Sequence, residues 1–167
     1  MSKHQGADDV VFLRQAFAVA RRARDRGDHP FGCLLVNQDG IVLMEQENGY
    51  RAEDRDMTAH AERLLATRAS KEWRPAELAG CTLYTSAEPC AMCAGAIYWA
   101  GIGRVVFGQS ERDLKAQTGD HDENPTLDLP CRDVFATGQR QVQVVGPLLA
   151  EEAAALQADF WTGPSKA

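Results

Sequence analysis

Residues 89–93 read Pro89-Cys90-Ala91-Met92-Cys93, and residues 60–62 read His60-Ala61-Glu62. Each stretch is weak by itself. A lone His on a helix is an ordinary structural residue, and a C-x-x-C fits a redox pair, a zinc half-site or coincidence. Together they supply one imidazole and two thiolates, a donor set that suits zinc. Pro89 fits the first position of a helix, which places Cys90 and Cys93 three residues apart on one face of its opening turns. There the positive end of the helix dipole favours thiolates. The other cysteines, Cys33, Cys81 and Cys131, are isolated and form no second pair. A closed four-cysteine site is therefore not expected. Three protein ligands leave the fourth tetrahedral position for water, the arrangement of a catalytic zinc.

Glu62 then acquires a role. Two thiolates already neutralise Zn²⁺, so the ion alone acidifies its water less than one held by three imidazoles. A nearby carboxylate can take the water proton and deliver it to a substrate, as base and then acid. The plain alternative is a Glu that favours the first turn of its helix. One geometric condition attaches to the catalytic reading. Residues two apart on an ideal helix point in different directions, so His60 must sit at the helix edge with a non-helical backbone.

Outward from these motifs, helical and strand patterns alternate. Asp8 is a candidate cap for an amphipathic helix carrying Val10, Leu13, Phe17 and Ala20, which closes near Gly27. Residues 33–37 and 41–45 flank Gln38-Asp39-Gly40, a hairpin signal. A helix is expected over 58–70, a strand over 81–85, a helix over 90–100 and a strand over 104–108. Residues 111–131 read as an acidic loop with one short helix, 141–145 as a strand and 149–161 as a terminal helix. This order predicts an α/β sandwich with a mixed sheet in a single domain spanning 1–167.

The chain has 167 residues, 44% hydrophobic and 25% charged, with a formal net charge of −6. That composition argues against disorder, and the charge lowers the expectation of a dedicated nucleic-acid binder. The longest uncharged run, Pro89 to Gly103, is 15 residues and too short for a membrane helix. No apolar leader opens the sequence, so a cytoplasmic location with reduced thiols is expected.

With the two motifs in this order, the sequence resembles the cytidine/deoxycytidylate deaminase superfamily of zinc-dependent nucleobase deaminases, whose H-x-E…P-C-x-x-C signature it carries. The likeness extends from about residue 10 to about residue 110. It includes Pro30-Phe31-Gly32, Thr58-Ala59 and Tyr84-Thr85-Ser86-Ala87-Glu88. The resemblance implies a three-layer α/β/α fold around a five-stranded sheet and a homodimer. It further implies zinc on His60, Cys90 and Cys93, proton transfer by Glu62, and release of ammonia from a cyclic amidine. A redox protein using Cys90 and Cys93 is the competing class, distinguished by the absence of zinc.

Within the superfamily two branches share this chain's features. Gly95-Ala96-Ile97-Tyr98-Trp99-Ala100 resembles bacterial guanine deaminases, whereas Ala91-Met92-Cys93-Ala94-Gly95-Ala96 and Gly103 to Gly108 are shared with tRNA adenosine deaminases. The resemblance implies base contacts from Phe31, Asn48, Ala61 and Trp99, and from Asp122 or Glu123 in the acidic segment. Trp99 reads equally as a core aromatic, Asn48 as a turn residue and the acidic pair as a solvated loop. One extra residue separates Asn48 from His60, and Met57 replaces the family's usual Pro. Phe160-Trp161 is a candidate cap over the pocket of this or a neighbouring subunit. From Pro147 onward Lys166 is the only cation, against Glu151, Glu152 and Asp159. A polyanionic tRNA is therefore disfavoured. A free purine base or nucleoside is expected, guanine first, with tRNA adenosine, cytosine, pterins and triazines as alternatives.

Overall fold

The computed structural model describes residues 3–162. Its element order is α1 (Lys3–Asp25), β1 (Gly32–Val36), β2 (Val42–Glu47), α2 (Ala61–Glu72), α3 (Pro75–Leu78), β3 (Thr82–Ala87), α4 (Ala91–Ala100), β4 (Arg104–Gln109), α5 (Glu111–Thr118), α6 (Cys131–Ala136), β5 (Gln143–Val145) and α7 (Ala150–Gln157). The strands form one five-stranded sheet in the order β2-β1-β3-β4-β5. β1 is antiparallel to β2 and β3, while β3–β4 and β4–β5 are parallel. The sheet is mixed, as expected.

Side-chain alternation along the strands builds two cores. Cys33, Leu35, Leu83, Val105 and Phe107 pack with Leu65 and Ala69 of α2 and Ala94 and Ile97 of α4. The intervening Leu34, Val36, Tyr84 and Val106 face Leu13, Phe17 and Ala20 of α1 and Ala153 and Leu156 of α7. The result is a three-layer α/β/α sandwich. α1 lies so close to β1 that a Cβ at Gly32 would stand 2.4 Å from the Ala20 backbone nitrogen. A side chain there would force the layers apart.

The hairpin turn closes as expected. Asn37 Oδ1 accepts from the backbone of Asp39 and Ile41, and Gly40 adopts a left-handed φ of 76°. Other boundaries differ from the sequence reading. α1 begins at Lys3, so Asp8 lies inside the helix and is no cap; residues 3–7 offer no apolar stripe to reveal that first stretch. The acidic segment 111–131 holds one short helix, α5, as expected, whereas α6, which opens at its last residue Cys131, was not expected. α3 was not anticipated at all. α7 stops at Gln157, and Asp159 turns the chain with a left-handed φ of 61°. Phe160 and Trp161 therefore lie beyond the helix.

Candidate active site

The site forms where the first turns of α2 and α4 meet the C-terminal ends of β3 and β4. His60 is the N-cap of α2, with extended backbone angles of −64° and 144°. This meets the geometric condition: His60 swings out of helical phase and no longer opposes Glu62. Cys90 is likewise the N-cap of α4, with φ −63° and ψ 171°. Pro89 accordingly precedes the cap and does not occupy the first helical position. The extended backbone at Cys90 bends its thiol toward Cys93, which lies three residues into the helix.

His60 Nδ1 stands 3.6 Å from each of the two Sγ atoms. All three donor atoms lie within 4.8 Å of one another. A tetrahedral zinc, with bonds of roughly 2.0–2.1 Å to nitrogen and 2.3 Å to sulfur, separates its N and S ligands by about 3.6 Å. The donor set and its spacing therefore fit zinc. Cys93 donates to Cys90, which pulls the Cys90 thiol well down while the Cys93 thiol is pushed up. Binding a cation that requires both thiolates must release the remaining proton.

Glu62 is buried beside this cluster. Burial raises its pKa, with partial relief from a hydrogen bond donated by Thr85 Oγ1 and from the charge of His60. Thr85 thus orients the carboxyl. A buried hydroxyl on the sheet face turned toward α2 was the available signal in the sequence, readable from the strand's alternation with Leu83.

The pocket in front of these groups measures about 350 Å³ including its open mouth, and is lined by Phe31, His60, Glu62, Ala87, Glu88, Cys90, Glu111, Leu114 and Asn124. Phe31 forms part of this lining. Asn48 is buried next door: its N–H donates to the Phe31 carbonyl, and its Oδ1 accepts from Tyr50 N at 2.9 Å. Ala61 is buried at the start of α2.

Trp99 is a correction: it is 79% exposed on α4 and lines no part of this chain's pocket. The helix turns Cys93, Ala94 and Ile97 inward, and Trp99, two residues past Ile97, faces out. Asp122 is also exposed and away from the pocket. Its neighbour Glu123 turns inward, with Oε2 2.9 Å from His29 Nε2. Burial lowers the His29 pKa despite that partner. Because a carboxylate only accepts, the neutral ring donates from Nε2.

His29 stacks on Tyr50 at 4.4 Å and lies 5.1 Å from Trp161, whose ring is 6.1 Å from Phe31. The terminal aromatics therefore pack on this chain's own pocket wall. Trp161 is fixed there by Nε1 donating to Gln157 Oε1 at 2.8 Å.

Ala87, Glu88, Glu111, Leu114 and Asn124 complete the lining, and the sequence alone assigned none of them to the site. Glu88 is a clamp: its two oxygens accept from Glu111 N and Cys131 N, each at 3.0 Å.

The layered fold and the three-donor site with its buried Glu define a zinc-dependent deaminase. Residues 7–109 match the family described as the cytidine and deoxycytidylate deaminase zinc-binding region, and the chain belongs to that family. It is 43% identical over 155 residues to a probable cytosine deaminase of Schizosaccharomyces pombe, covering 93% of each chain. A guanine deaminase of Bacillus subtilis is 39% identical over 110 residues, 65% of this chain and 69% of that one. Among solved structures, one from studies of A-to-I editing by tRNA:A34 deaminases superposes with a TM-score of 0.67 at 29% identity. That match covers 88% of this chain and 99% of the other.

Proposed function

We propose that the chain hydrolyses the exocyclic amine of a free nucleobase, guanine first, and releases ammonia. One observation carries the reading: Glu62 stands buried beside the His60–Cys90–Cys93 cluster, in a pocket lined further by Phe31, Ala87, Glu88, Glu111, Leu114 and Asn124, with no Lys or Arg among the described lining residues. His60, Cys90 and Cys93 would hold zinc, which when bound would supply an activated water. Glu62 takes a proton from that water and passes it to the ring nitrogen next to the amine. It then carries the second proton to the departing amine. The C–N bond breaks, a carbonyl replaces the amine and ammonia leaves. Phe31 packs against the ring, Asn48 and Ala61 border the base, and Glu123 is held near it by His29.

A free base suits this pocket better than tRNA. Phosphates call for cations, yet α7 opens with Glu151 and Glu152, and Glu152 is paired with Arg14. On α1, Arg22 is already committed to Glu45 and Glu47. Cytosine is the second reading, favoured by the 43% identity to a probable cytosine deaminase along nearly the whole chain. The outer side of α4 carries Met92, Gly95, Ala96 and the exposed Trp99 without a charge. A second copy of the chain covers that side in our reading, making a homodimer. The five free cysteines suit a reducing, cytoplasmic setting.

The test is ammonia release from guanine, guanosine, cytosine, adenine and an anticodon stem-loop, alongside metal analysis. About one zinc per chain is expected for a three-ligand site, with turnover of a free base. Turnover of the stem-loop alone would overturn the reading, and protein that takes up no zinc and cycles a disulfide would favour redox chemistry.

A further inference from the structure

Glu111 opens α5, is 4% exposed, and lines the pocket together with His60, Glu62 and Cys90. Its backbone N–H is taken by Glu88. No described residue donates a hydrogen bond to its carboxyl, which borders the pocket. Glu88, a few ångströms along the same wall, shows the contrast: each of its oxygens receives a backbone N–H at 3.0 Å. A buried carboxyl without a donor is costly, and here the open side is the pocket itself. The missing partner belongs to the ligand.

The chemistry of that partner follows from having two carboxyls in one small space. The carbon that loses its amine has two ring neighbours, and Glu62 serves one of them, a nitrogen. In cytosine and adenine the other neighbour is carbon, which offers a carboxyl nothing. In guanine-type rings it is a second nitrogen bearing hydrogen. Resting on the free-base deaminase reading, we infer that Glu111 accepts a hydrogen bond from that second ring nitrogen, so that the pocket selects heterocycles whose amine-bearing carbon lies between two ring nitrogens. Either protonation state of the carboxyl accepts this bond.

The experiment measures binding of guanine and of cytosine to zinc-loaded protein carrying Glu62→Gln, in which turnover is slowed enough for binding to be read. The same titrations are repeated with Glu111→Leu and, as a milder change, Glu111→Gln. Guanine binding is expected to weaken about 10- to 100-fold in Glu111→Leu and less in Glu111→Gln, with cytosine binding shifted by no more than about twofold. Equal losses for the two bases, or a parent protein that binds cytosine and not guanine, would overturn the inference. Ammonia assays of proteins with Glu62 intact separate the two claims. Turnover of a base without any dependence on Glu111 defeats the selection by Glu111 alone. A Glu111-dependent preference in binding without ammonia release from any base defeats the deaminase reading alone.

Discussion

Tyr84 and Thr85 are consecutive on β3, point to opposite faces of the sheet, and each donates a hydroxyl to a buried carboxyl. Tyr84 Oη gives its hydrogen to Asp9 Oδ1 at 2.8 Å, and Thr85 Oγ1 to Glu62 Oε1. The difference lies in the counter-charge. Asp9 also receives two hydrogen bonds from Arg104, at 2.8 and 2.7 Å. Burial alone would raise its pKa, yet the bonds from Arg104 and Tyr84 hold it below the ordinary carboxylate value. Among the described residues no cation is hydrogen-bonded to Glu62, and burial wins. A carboxylate that is fully matched ties α1 to the sheet. One that is oriented but left under-compensated can exchange a proton. Position on the strand decides which face each serves, and partners decide what each does.

The sharpest test of the contrast removes one carboxylate from each face. Glu62→Gln should lower kcat about 10²–10⁴-fold, the range for general acid–base groups, while metal analysis still finds zinc. Asp9→Ala should cost about 3–5 kcal/mol, because it leaves Arg104 buried without its partner. Urea unfolding measures that loss, and activity per folded molecule should stay unchanged. If either variant shows the other's phenotype, the division between the faces fails.

The sign of the pH effect sharpens the Asp9 side. Its carboxyl titrates lower in the folded chain than in the unfolded one, where about 3.9 is usual. Its contribution is therefore fully present above that value and is lost as pH falls through the folded one. Asp9→Asn should be less stable at neutral pH and flatter between pH 4 and pH 2 than the parent, read by unfolding at each pH (a window of about two units set by these carboxylate values). A parallel loss in both proteins would contradict the assignment.

The smallest effects come from the two hydroxyls. Tyr84→Phe should lose about 1 kcal/mol of stability with unchanged kcat/KM, and Thr85→Val should lower kcat about tenfold with little change in stability. Unfolding curves and ammonia release on both variants settle the pair.

Much of this was legible beforehand, for reasons that differ along the chain. The Asp-Gly turn, the wide apolar stripe of α1 and the two ligand motifs announce themselves through spacing. His60 had to leave the helix for Glu62 to work, and it does. The bounds of α5 within the acidic segment were not legible because Leu114 is its one buried apolar residue, which leaves no periodicity to detect. Its capping pair was nevertheless in view: Ser110 Oγ accepts from Asp113 N and donates to Asp113 Oδ2. Trp99 was misplaced because likeness to a family says nothing about which side of a helix a residue occupies within one chain. Glu111 stayed hidden among acidic neighbours. Only burial distinguishes it from Asp113 or Asp120, and burial is a property of the folded chain.

The clamp at Glu88 has an engineering consequence. One carboxylate anchors the start of α5 and the start of α6, immediately before the ligand turn at Cys90. The segment 119–130 is thus suspended between two points fixed from the same place. It holds Glu123 and Asn124 but none of the three metal ligands. That makes it a cassette: its length and composition can be exchanged to retune which ring enters, while the zinc geometry behind it is left alone.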